Sequence, residues 1–140
     1  MRPPLLRALL LIVPLAIAAS GCNNNATVAT PTPTPVQVTE TFAGSLTPTG
    51  VNYHLLTAKV GDVVMTMTGI GPDPKVTIGM AIGVYSTLAC TDVMDNPTST
   101  IGSQLIGTTT ATTGLCVKVY DGGTIAADTT LTYELTVTHY

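Results

Sequence analysis

The chain has 140 residues, of which 45% are hydrophobic and 9% charged, with no tryptophan and a formal net charge of −3. That length holds one domain once any targeting segment is set aside. Both arginines, Arg2 and Arg7, lie at the extreme N-terminus, so the rest sets three lysines against eight acidic residues; such a chain has no basic surface to neutralise phosphates, which excludes nucleic acid as a partner.

Residues 1–7 carry positive charge, and 8–19 form an uncharged apolar run too short for a spanning helix, which needs ~20 residues. This is the pattern of a secretory signal, assigned to residues 1–21. The boundary Ala18-Ala19-Ser20-Gly21-Cys22 resembles the bacterial lipobox, with Ala19 where leucine is usual. The resemblance implies that Cys22 receives a diacylglyceryl group and becomes the first mature residue, anchoring the protein to a membrane. The alternative is an ordinary cleavage site with Cys22 as a free or disulfide-bonded thiol.

Residues 22–38 read as a linker. Alternating Thr and Pro between 30 and 35 favours extended polyproline II, and 23–35 offers no apolar periodicity. At ~3.1 Å per residue such a stalk holds a domain roughly 40 Å from a bilayer. Asn23 after the cysteine resembles the sorting signal of Gram-negative lipoproteins bound for the outer membrane, so the expected location is the cell envelope. Asn25-Ala26-Thr27 matches a glycosylation sequon but reads as plain polar linker.

From residue 39 to 140, short Val/Thr-rich segments alternate with turn signals, the mark of a sandwich or barrel. Predicted strands are 36–42, 51–60, 62–70, 75–85, 103–109, 114–120 and 129–139. Turns fall at Gly44, 48–50, Gly61, 71–74, 95–97 and 121–123. Val63, Met65 and Met67 alternate with more polar neighbours, as do Leu131, Tyr133, Leu135 and Val137, so each strand buries one face. In 76–84 the residues between the large ones are Gly79, Ala81 and Gly83, which leaves one face bare for a close approach by another element or another protein. The expectation is an all-β domain, a single antiparallel β-sandwich of jelly-roll type.

Tyr53 before the Gly61-Asp62 turn, the apolar strand 75–85, the Gly-x-x-Val-x-Val-Tyr pattern of 114–120 and a closing strand with Tyr133 together resemble the bacterial pre-peptidase C-terminal domain. The resemblance implies a jelly-roll sandwich acting as an accessory module of exported proteins, with nothing catalytic to carry over. Some relatives bind calcium through acids near the first strand, where this chain offers only Glu40.

His54, Asp62 and Ser45 or Ser86 are the residue types of a hydrolytic triad, but no nucleophile-elbow motif accompanies them, and His54 reads as a surface residue of a half-exposed strand. His139, one residue from the end, is expected to fray. Asp73, Asp92, Asp95, Asp121 and Asp128 fall in predicted turns, where aspartate serves as a cap rather than as one of a carboxylate pair. Asp92, Asp95 and Asn96 lack calcium-loop spacing, and no zinc, phosphate-loop or Cys-x-x-Cys motif occurs, so no metal or cofactor is implied. Met65, Met67, Met80 and Met94 read as core or edge fillers. With Cys22 acylated, Cys90 and Cys116 remain as an even pair in an oxidising compartment, and they are expected to form a disulfide. The function these features suggest is a lipid-anchored, non-catalytic binding, adhesion or envelope-structural module with an envelope protein or glycan as possible partner; a small secreted hydrolase or carbohydrate-binding domain is the alternative.

Overall fold

A computed structural model describes residues 32–140; the signal segment 1–21, Cys22 and the start of the linker lie outside the described residues. Eight strands follow in chain order: β1 (Val38–Leu46), β2 (Val51–Ala58), β3 (Gly61–Gly71), β4 (Ile78–Ser86), β5 (Ala89–Ser99), β6 (Gln104–Thr109), β7 (Thr113–Tyr120) and β8 (Leu131–His139). They make two four-stranded antiparallel sheets, ordered β1-β8-β3-β6 and β2-β7-β4-β5. The first strand pairs with the last, the second with the seventh, the third with the sixth and the fourth with the fifth. One long hairpin has been wound up on itself, which is the topology of a jelly roll.

The core lies between the sheets and comes from the alternation in the sequence. Met65, Met67, Leu135 and Val137 of one sheet face Ile78, Met80, Val117 and Val119 of the other, all fully buried. In β3 the inward set changes parity between Met67 and Ile70. A bulge at Met67/Gly69 inserts the extra residue that lets both sides of the change face the core. The outer face of the first sheet is a field of cross-strand polar pairs, including Thr39 with Thr138 and Gln104 with Thr66.

The bare face of β4 is filled from within the chain. A Cβ on Gly79 would collide with the ring of Tyr120, and one on Gly83 with the backbone of Thr91. Glycine at these positions lets an aromatic ring lie flat on the sheet and lets β5 fold over β4. The disulfide joins Cys90 of β5 to Cys116 of β7, with the Cα atoms 5.9 Å apart. Cys116 stands opposite Gly83 in the β4–β7 ladder, so the bridge passes where β4 carries no side chain.

Four sequence expectations need correction, the first being Gly44, expected in a turn, which lies inside β1 opposite Tyr133. Residues 89–99, read as loop and turn, are strand β5, and its Asp92 and Asp95 are strand residues. The hairpin that introduces β5 turns on Thr87 and Leu88, both with positive φ (49° and 64°), where Asn and Gly are the usual signals. His139 does not fray: it pairs with Val38 at the end of the β1–β8 ladder, is buried, and its Nε2 lies 2.9 Å from Glu40 Oε1. His54 is not a plain surface residue, as described next.

Candidate functional site

The two sides of the sandwich are finished differently. On one side, β1 and β2 are edge strands of opposite sheets. His54 of β2 turns inward, stacks on Phe42 of β1 with ring centroids 4.9 Å apart, and shares a 2.8 Å hydrogen bond with the hydroxyl of Tyr133 from β8. Asn52, two residues earlier and on the same inward face, donates from Nδ2 to the Ser45 carbonyl at 2.7 Å. Gly44 leaves room for the Tyr133 hydroxyl, which would lie 2.6 Å from a Cβ there. Burial holds His54 below its ordinary value and so favours the neutral ring. Burial likewise raises the Tyr133 phenol, outweighing the opposing hydrogen bond from Asn52. These groups close the edge between the sheets.

The triad drawn from the sequence is not assembled. Asp62 lies on the exposed face of β3 and accepts from the Thr108 hydroxyl at 3.0 Å. Ser45 lies on the exposed face of β1, and Ser86 ends β4 in solvent. All of the candidate carboxylates but Asp128 are occupied as well. Asp73 accepts from the Lys75 amide at 3.0 Å. Asp92 pairs with Lys118, whose ammonium also sits 4.8 Å over the Tyr120 ring, and Asp95 accepts from the Tyr120 hydroxyl at 2.6 Å. Burial, then the hydrogen bond and charge of Asp95 and the charge of Asp92, push the Tyr120 phenol up to about 12. Asp121 gathers four backbone N–H groups, those of Thr49, Gly123, Thr124 and Ile125, at 2.8–3.1 Å. Burial raises its pKa, but the four donors together bring it below the usual carboxylate value. Asp128 is exposed in a turn at φ 61°. Asn96 accepts from the Thr98 amide at 3.1 Å, and Glu40 meets His139. Among the described residues no three His, Cys, Asp or Glu side chains converge on a point where a metal ion would sit.

The opposite side, between edges β5 and β6, is open. A cleft of about 360 Å³ enters there, floored by Val63, Ile82 and Leu115 and walled by Val84, Val93 and Met94. Its lip is the threonine-rich turn 108–113. The bulge between Ile82 and Gly83 in the β4–β5 ladder lets two consecutive residues, Val93 and Met94, both border the cleft. Met94, read from the sequence as a filler, packs over Gly107, while Met65, Met67 and Met80 are core. Sequence reading missed this cleft because it missed β5. The one available signal was the adjacency of Val93 and Met94 in an otherwise polar stretch, which fits neither strand alternation nor a solvated loop.

No family model matches the chain, and no curated protein matches its sequence. Among solved structures, a mitogen derived from Yersinia pseudotuberculosis is similar, with a TM-score of 0.56 and 12% identity, covering 75% of this chain and 88% of the mitogen. A periplasmic lysozyme inhibitor of g-type lysozyme from Aeromonas hydrophila gives a TM-score of 0.49 and 18% identity, over 71% of this chain and 83% of the inhibitor. At such identity the likeness to the mitogen is one of fold. The chain is thus an all-β sandwich stapled by a disulfide.

Proposed function

We propose that this is an exported, lipid-anchored accessory module: acylated at Cys22, carried on the 22–38 stalk, held at the outer membrane of a bacterial envelope, and acting by binding rather than by catalysis. The observation that carries the reading is the Cys90–Cys116 bridge. Structural disulfides belong to oxidising compartments, and this one uses the two cysteines left over once Cys22 is assigned to lipid. The signal-like segment, the lipobox resemblance and the stalk give the same address from independent residues. Binding rather than catalysis is supported by the structural employment of the polar groups: His54, His139, Asp92, Asp95 and Asp121 all serve packing or turns. The motifs within 39–140 further suggest a place beside the pre-peptidase C-terminal modules.

Replacing the thiol tests the anchor. With Cys22→Ser, radiolabelled fatty acid is expected to disappear from the protein and the chain to leave the membrane fraction or stay unprocessed. Label that persists would overturn the assignment.

A further inference from the structure

We propose that the cleft between β5 and β6 takes a linear, uncharged alkyl chain. The proposal rests on the binding-module reading for its setting and names the ligand class of that module.

Three observations carry it. First, every wall and floor residue is aliphatic or thioether, and no ionisable side chain lines the cleft, lip included, so a buried charge would find no counter-ion. Second, the volume of about 360 Å³ holds on the order of a dozen groups of the ~30 Å³ a water molecule takes up, room enough for an alkyl chain of about that many carbons. Third, apolar side chains stand exposed at the mouth of the cleft. Val93 is 67% exposed and Val84 37% exposed. Met94, unbranched and adjustable, forms the movable wall. The threonine lip suits a hydroxyl or ether at the end of the chain without demanding a charge.

The test uses the 140-residue chain carrying Cys22→Ser, so the outcome does not depend on acylation at that residue, and failure here leaves the anchoring reading to its own experiment. Alkyl maltosides from hexyl to dodecyl, each below its micelle concentration, are titrated while the Val, Leu, Ile and Met methyl resonances are followed. Shifts are expected at Val63, Ile82, Val84, Val93, Met94 and Leu115. Affinity should rise about fourfold per added methylene until the cleft is full, the increment expected for burying each CH₂. Val93→Asp, at the exposed rim, should weaken dodecyl maltoside at least tenfold. Ile106→Asp, equally exposed but outside the lining, should leave it unchanged. If Val93→Asp lowers the melting temperature so far that the fold is lost, Val84→Phe, which narrows the mouth, takes its place with the same expected loss. Shifts centred on the exposed Val51 and Leu55, equal shifts with maltose alone, affinity independent of chain length, or no shifts at all would each overturn the proposal.

Discussion

Single side chains in this domain close edges and fix turns. His54 and Tyr133 illustrate the energetics: each has a polar atom between the sheets, and each satisfies the other. Tyr133→Phe removes one partner and strands the ring nitrogen, at an expected cost of about 1–2 kcal/mol in denaturant unfolding. The same histidine makes stability depend on pH. Because burial lowers its folded value, the unfolded chain binds the proton more readily; the stability tied to neutral His54 is complete above its ordinary 6.5 and is lost as pH falls through and below it. Asp121 acts in a lower window. Its net lowering means that its contribution is present above the ordinary 3.8 and is lost on further acidification. Unfolding curves at pH 7.5, 5.5 and 3 should therefore show two separate losses. His54→Gln should abolish the first and Asp121→Asn the second; an unchanged upper step in His54→Gln would contradict the assignment. His54 was legible in the sequence as a strand residue but not as an inward one, because its neighbours Tyr53 and Leu55 are the more apolar and invite the opposite phase, while in fact they face solvent.

At the scale of elements, alternation made seven of the eight strands readable, since Val63, Met65, Met67 and the series Leu131 to Val137 declare their buried face without help from distant residues. β5 was not readable for two physical reasons. Its bulge breaks the period of two, and its hairpin turn spends backbone strain on Thr87 and Leu88 instead of using glycine. That strain is removable. Leu88 is 91% exposed, so Leu88→Gly gives up almost no packing and relieves a left-handed conformation worth about 1 kcal/mol; an increase of that order in unfolding free energy is expected, and a decrease would mean that the leucine packs. The disulfide was readable by counting cysteines, and it pins strand β5 to β7. Closing a span of 26 residues corresponds to about 3.5 kcal/mol in the chain-entropy model. Cys90→Ala with Cys116→Ala should lose on the order of 3 kcal/mol by denaturant titration, whereas a loss under 1 kcal/mol would show that the reduced chain is already restricted.

For the whole molecule, the nested pairing from β4–β5 outward to β1–β8 sets one sheet on the other. Residues 32–37 form no strand and are exposed, so they lend the core nothing. Shortening the linker by deleting 23–35 should shift the melting temperature by no more than a degree or two. The architecture was legible because every strand needs only a partner of the same period, whereas the β5–β6 cleft was not, since it arises from what two edges leave unfilled. Whether the protein is a lipid-anchored, disulfide-stapled exported module is decided by one intact-mass measurement on protein extracted from membranes and alkylated without reduction. The expected product is a chain beginning at Cys22, heavier by a diacylglyceryl group, lighter by the two hydrogens of the bridge and free of alkyl adducts. A chain that keeps residues 1–21, or one that carries an adduct on Cys22, Cys90 or Cys116, would contradict it.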